Sequence, residues 1–209
     1  MLNIVVLVSG GGTNLQALID AQNNNTIKNG KIVCVIASND KAYALTRARE
    51  NGIDTVVVPR KEFDCSQDFD AAIMKQLDEK KADLVVLAGF MSILGKAVTD
   101  KYSYKIINIH PALIPSFSGP GCYGLHVHEK ALECGVKITG ATVHFVSEKA
   151  DAGAIIMQKA VEVCSTDTPQ TLQTRVMKQA EWEILPKAVE LFCSGRIFIK
   201  NDKAYILEE

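Results

Sequence analysis

Five short apolar runs rich in β-branched residues constrain the fold more than any other feature of the chain: LNIVVLV at 2–8, KIVCVIAS at 31–38, DTVVVP at 54–59, DLVVLAG at 83–89 and KIINIH at 105–110. They are continuously apolar rather than alternating, which is the pattern of strands covered on both faces in a parallel sheet. Between them lie segments with apolar residues three or four apart, at 14–28, 42–51, 66–81 and 94–102, as in Phe69, Ile73 and Leu77. Strand and helix in strict turn, with short connections, predict right-handed βαβ units. The expected fold is α/β, a Rossmann-like doubly wound, mostly parallel sheet with helices on both faces.

The second half differs. After the Gly- and Pro-rich loop PSFSGPGCYG, a helix is expected at 126–134, followed by two strand-like runs, KITGATVHFV and AGAIIMQKAVEV, joined by SEKADAG. Two consecutive strands with a short connection predict an antiparallel C-terminal extension of the sheet. One long helix is expected at 169–193, and RIFIKNDKAYIL then reads as a hairpin turning at Asn201 and Asp202. With no repeat or linker, the 209 residues are expected to form a single domain, 1–209.

Charge excludes some partners. Lys and Arg number 23 against 24 Asp and Glu, so there is no general pull toward nucleic acid or an anionic membrane. The six cysteines contain no CxxC pair and several sit in apolar runs, as reduced thiols do, which predicts a cytoplasmic protein. The opening MLNIVVLVSG lacks a basic flank and is far too short for a membrane span.

In an open α/β sheet, ligands gather beyond the carboxyl ends of the strands. SGGGTNLQALI at 9–19 lies there, and the N–H groups of Gly12, Thr13 and Asn14 at a helix start make a cradle for one phosphate. No Lys follows the glycines and Leu15 replaces the third glycine of a dinucleotide fingerprint. The competing reading is a tight turn in which Thr13 or Asn14 caps the helix. Asn108 and His110 are two apart on a strand, so they share a face, and Pro111 ends that strand at the crevice. An amide beside an imidazole suits addition at a carbonyl, one donor for the oxyanion and one group to move a proton. Asp151, in the loop before Ala152 and Gly153, is able to reach His110 or to serve only as a turn residue. His144 reads as a satisfied core residue. His126 and His128 share no helix face and have no third ligand at metal spacing, so no metal is expected.

The segments VLVSGGGTNLQALI, LVVLAGFMSIL, INIHPALIPSF, GATVHFVSEKADAG and AEWEILPKAV together resemble the folate-dependent formyltransferases, and within them the phosphoribosylglycinamide formyltransferases. The resemblance spans almost the whole chain. It implies transfer of the formyl group of 10-formyltetrahydrofolate to the amine of glycinamide ribonucleotide, through a tetrahedral intermediate and without a metal. It assigns Asn108, His110 and Asp151 as the catalytic trio with Thr142 in support. It places Gly12, Thr13 and Asn14 at the phosphate, Glu181 at the ribose hydroxyls, and Gly89, Met91 and Pro111 at the amine substrate. The folate cleft it implies comprises Met91, Ile93, Leu94, Val98, Val146, Asn108, Asp151 and the loop 147–151. Ser66 and Ser92 stand at folate-side positions where the family often carries arginine. The loop SGPGCYGLH is longer than the family's minimal version, and residues 119–124 are expected to form a flap near the substrate or a plain surface insertion.

The partners so implied are two small molecules, with no nucleic acid or membrane, for a monomer or homodimer. Methionyl-tRNA formyltransferase shares the Asn-x-His and Asp pattern, but its extra carboxyl-terminal domain and lack of this glycine loop count against it. Formyltetrahydrofolate hydrolase adds an amino-terminal domain, where this chain starts its first strand at residue 2. A non-catalytic phosphate-sugar binding module would need the loop but not the trio.

Overall fold

In a computed structural model, which describes residues 1–208, a seven-stranded sheet runs in the order β3-β2-β1-β4-β5-β6-β7. The strands β1 (Leu2–Val8), β2 (Gly30–Ala37), β3 (Asp54–Val57), β4 (Leu84–Leu87) and β5 (Ile106–His110) are parallel, with α1 (Thr13–Asn23), α2 (Ala44–Glu50), α3 (Ser66–Glu79) and α4 (Lys96–Lys101) between them. After α5 (Leu125–Glu133), β6 (Ile138–Phe145) and β7 (Ile155–Glu162) complete the sheet as the expected antiparallel extension. The β1–β4 boundary is the point where the chain stops adding strands on one side and begins on the other. Crevices of α/β sheets open at such points.

Two apolar layers cover the sheet, which is why its parallel strands show no alternation. Ile4, Val6 and Val8 of β1 face a cluster with Leu15, Leu18, Leu185 and Val189. Val5 and Leu7, on the opposite face, pack with Phe69, Ile73, Leu77 and Val98. Each of these side chains is almost fully buried. Burial of such a residue stabilises by roughly 1.5–3 kcal/mol, so the βαβ alternation has a direct energetic origin.

Two boundaries depart from the sequence reading, while the closing hairpin forms as expected. Helix α1 ends at Asn23 rather than continuing to 28, because Asn24 caps it and Asn25 takes a left-handed φ of 61°. A short polar side chain tolerates that conformation, and the run of asparagines therefore stops the helix. The long helix expected at 169–193 is three pieces: α6 (Pro169–Val176), a π-helical turn (Met177–Glu181) and α7 (Trp182–Cys193). Pro186 lies inside α7 and has no N–H for the carbonyl four residues earlier, which marks this stretch as irregular. The closing hairpin, β8 (Ile197–Lys200) and β9 (Lys203–Ile206), forms its own two-stranded sheet, with Asn201 and Asp202 both at positive φ in its turn.

Candidate active site

A cavity of about 660 Å³ opens at the carboxyl ends of β1, β4 and β5. That volume suits a small-molecule ligand. Its walls come from the loops after those strands, the 119–124 segment, the 146–151 loop and the π turn.

At one end is the start of α1. Gln16 N–H makes the first backbone bond of the helix, to Gly12 O at 2.9 Å. Helix geometry therefore leaves the N–H groups of Gly12, Thr13 and Asn14 over for another acceptor. Gly12 is the N-cap, and no side chain caps the helix, so the capping role considered for Thr13 and Asn14 is not what they do. Thr13 Oγ1 instead approaches Met177 Sδ at 3.6 Å, and Asn14 Nδ2 donates to Glu181 Oε2 at 2.6 Å. Arg47, from α2, braces the loop by donating to Gly11 O at 2.9 Å and to Gln16 Oε1 at 3.0 Å. Gly12 has a φ of 72°, and a Cβ there would meet Ala44 Cβ at 2.6 Å. Gly12→Ala is expected to cost about 2–4 kcal/mol, from the left-handed backbone plus overpacking. Urea unfolding checks this; a loss below about 0.5 kcal/mol would mean the loop shifts freely.

Glu181 is buried, and among the described residues its only side-chain hydrogen-bond partner is Asn14. Burial pushes its carboxyl from an ordinary 4.5 to about 7, against the opposing pull of the Asn14 hydrogen bond. The unfolded chain ionises this group first, so folded stability falls as pH rises from 4.5 to about 7 and is level above. Glu181→Gln should therefore be close to neutral for stability at pH 4 and stabilising by roughly 1–3 kcal/mol at pH 8. Denaturant titrations at the two pH values read the difference, and an equal effect at both would refute the buried acid.

At the other end, β5 presents Asn108 and His110. They pair across the sheet with His144 and Thr142 of β6. Asn108 Nδ2 stands 3.1 Å from His144 Nε2, and His144 Nδ1 lies 2.8 Å from the Phe145 carbonyl. An amide nitrogen only donates and a carbonyl only accepts, so His144 carries its proton on Nδ1 and accepts on Nε2. Burial lowers the His144 pKa, in keeping with this neutral ring, although the Phe145 carbonyl and Asp151 oppose the shift. The ring thus fixes which way the Asn108 amide points and leaves its second N–H unspent.

His110 is ordered the same way. Its Nε2 donates to the Phe117 carbonyl at 2.8 Å, and its Nδ1 faces Asp151 Oδ2 at 3.6 Å, somewhat beyond a direct hydrogen bond. Asp151 Oδ2 accepts from Gly119 N at 2.9 Å, and Oδ1 lies 3.7 Å from His144 Nε2. Residues 117 and 119 are thereby each held by one member of the pair. Behind them, Thr142 is fully buried; its hydroxyl donates to Ala112 O at 2.6 Å and accepts from Ile114 N at 3.1 Å. That grip fixes the chain just after Pro111.

Between the two ends, Ser9 joins β1 to the loop after β4: its N–H reaches Gly89 O at 3.1 Å and its hydroxyl accepts from Met91 N at 2.9 Å. Gly89, Met91, Ser92, Ile93, Leu94, Pro111 and Val146 all line the cavity. Met91 and Ile93 are 52% and 71% exposed, an uncovered apolar margin.

Twelve of the residues picked from sequence thus share one cavity wall: Asn14, Gly89, Met91, Ser92, Ile93, Leu94, Asn108, His110, Pro111, Val146, Asp151 and Glu181. Others do not. Val98 is fully buried against Phe69 and Ile73, so it belongs to the core and cannot touch a ligand in the cleft. The apolar face of α4 turns toward the sheet. Ser66 opens α3 outside the cavity wall, its hydroxyl on Gln67, and Thr142 supports from behind. Gly12 and Thr13 are not on the cavity wall, and Thr13 faces a smaller hollow. Sequence reasoning missed His144 as an orienting group, His128, Gln173 and Met177, all on the wall. The cross-strand register was the one signal able to find His144. Among the described residues no His, Cys, Asp and Glu cluster has metal-binding geometry, and no helix is long and apolar enough to cross a membrane.

A helix start with unspent main-chain nitrogens, whose Asn14 shares a cavity wall with an amide, an imidazole and a carboxylate, suits direct group transfer at a carbonyl. Residues 2–189 match the formyl transferase family, and the chain belongs to it. The chain is 40% identical over 206 residues to the phosphoribosylglycinamide formyltransferase of Haemophilus influenzae, covering 99% of this chain and 94% of that protein. The crystal structure of glycinamide ribonucleotide transformylase 1 from Symbiobacterium toebii superposes with a TM-score of 0.93 at 39% identity, over 100% of this chain and 95% of that one. A formyltetrahydrofolate deformylase from Pseudomonas syringae gives a TM-score of 0.88 at 26% identity, over 99% of this chain but 66% of that one.

Proposed function

We propose that the protein transfers the formyl group of 10-formyltetrahydrofolate to the amine of 5′-phosphoribosylglycinamide, a step of purine biosynthesis. The observation that carries this reading is the one cavity wall on which Asn14 of the α1 start and Glu181 meet Asn108, His110 and Asp151. In it, the N–H groups of Gly12, Thr13 and Asn14 take the phosphate, and Glu181 accepts from ribose hydroxyls. The apolar margin of Met91, Ile93, Leu94 and Val146 takes the pterin. Ser92 offers a hydroxyl there rather than a charge, and Gly89 and Pro111 shape the amine's approach.

The substrate amine attacks the formyl carbon, and the carbonyl oxygen becomes an oxyanion. The unspent N–H of Asn108 donates to it. Phe117 occupies the Nε2 proton of His110, so Nδ1 is the nitrogen left for chemistry; protonated, it donates to the oxyanion with Asp151 balancing its charge. The attacking nitrogen loses its proton through Asp151 or a water beside it, and the folate nitrogen gains one as the carbon–nitrogen bond breaks. The products are the formamide and tetrahydrofolate. On this reading one domain works in the cytoplasm on two small molecules, as a monomer or homodimer and without a metal.

The test is direct. Protein mixed with the ribonucleotide and formyl-folate should yield formylated ribonucleotide, with folate release dependent on the amine. Equal release of formate without the amine would instead favour hydrolysis, the activity named for the Pseudomonas neighbour. Ligand binding with no turnover would favour a non-catalytic module.

A further inference from the structure

The 119–124 segment carries a thiol that the reaction above does not use. Cys122 is half-buried on the cavity wall, and Lys130 Nζ stands 3.2 Å from its sulfur and 3.1 Å from Gly121 O. No carboxylate lies within ion-pair reach of Lys130 among the described residues, so its ammonium divides between the sulfur and the Gly121 carbonyl. A hydrogen bond from an ammonium is stronger to a thiolate than to a thiol, and a thiolate is the form that attacks disulfides. Of the other accessible thiols, Cys65 caps α3 by accepting from Asp68 N–H, Cys193 is half-buried away from the cavity wall, and Cys134 and Cys164 lie on the open surface.

A second observation points to a ligand in the same cavity. His128, four residues beyond Gly124 on α5, is fully buried and lines the cavity, yet among the described residues neither ring nitrogen has a hydrogen-bond partner. Burial lowers its pKa to about 4, so at neutral pH the ring offers one donor and one acceptor. Unpaired buried polar atoms are costly, and a polar group entering the cavity would relieve both.

We propose that Cys122 is a covalent modification site, at which a small anionic disulfide is captured by thiol–disulfide exchange and the cavity is closed to substrate. The Cys122 sulfur attacks one sulfur of the disulfide. A new S–S bond forms as the old one breaks, and the departing half leaves with the electron pair and takes up the proton that Cys122 gave to solvent. Cys122 is oxidised and the released half reduced, so the disulfide is the only co-reactant. Once in a disulfide, the sulfur is only a weak acceptor, and Lys130 is free to pair with a carboxylate of the adduct. The adduct sits three residues from Gly119 and five from Phe117, the two backbone groups that hold Asp151 and His110.

The experiment treats the full-length protein with oxidised glutathione, or with cationic cystamine, and follows adducts by intact mass and peptide mapping. Cys122 should react at least about tenfold faster than Cys65, Cys134 or Cys164, and faster with oxidised glutathione than with cystamine. Lys130→Met should erase both preferences. Binding of glycinamide ribonucleotide, followed by calorimetry, should fall with adduct formation and return with dithiothreitol; formyl transfer, which rests on the function proposed above, should follow it. Cys122→Ser should retain its own untreated binding through the treatment. First modification at Cys134 or Cys164, or a Cys122 adduct that leaves binding intact, would overturn the proposal. Absence of both ribonucleotide binding and formyl transfer in untreated protein would sink the functional reading alone, since the adduct measurements do not depend on it.

Discussion

Asp151→Asn should lower kcat by about 10²–10⁴-fold while changing the affinity for the phosphorylated substrate little. The substitution keeps an oxygen to accept from Gly119 N–H, now at 2.9 Å, so the 119–124 segment keeps its anchor. What disappears is the charge that balances a proton on His110 Nδ1, 3.6 Å away. Loss of a charge with retention of shape separates chemistry from folding. Rapid-quench measurement of formyl transfer, with calorimetry of ribonucleotide binding and a thermal melt, reads the three quantities separately. Wild-type kcat in this variant would remove Asp151 from the mechanism, and collapse of binding would make it a structural residue.

Asn108→Ala should lower kcat by roughly 10²–10³-fold, the usual effect of removing one oxyanion donor. Its KM for the amine substrate should move little, because the lost N–H matters most when charge develops on oxygen. A stability cost accompanies it. His144 Nε2 would lose its partner inside the core, which typically costs about 1–3 kcal/mol. Asn108→Asp offers no donor to either the oxyanion or His144 and should be as inactive. An alanine variant retaining a tenth or more of wild-type kcat would show that His110 alone carries the oxyanion.

The alternation of strand and helix was readable because continuous apolar runs are what two-sided burial produces, and the two packed layers are its result. The face shared by Asn108 and His110 followed from the two-residue strand period alone. Other features needed distances between parts of the chain that sequence does not supply. His144 was placed in the core, where it is, but only its pairing with Asn108 across β5 and β6 gives it an orienting part. Val98 failed for the opposite reason: an apolar residue beside a cleft motif looks the same whether it faces the cleft or the sheet. The resemblance named Glu181, but the way it is aimed was not legible. Pro186 was the available warning that 169–193 was no uniform helix, and the π turn ends on Glu181 itself, where it meets Asn14.

The bond from the Gly119 amide to Asp151 has a practical use. An amide proton held by a carboxylate oxygen has a resonance position that responds to that oxygen's charge. Nitrogen-15 labelling of glycine would therefore give a reporter that follows the ionisation of Asp151 in the enzyme at rest, without a single catalytic cycle.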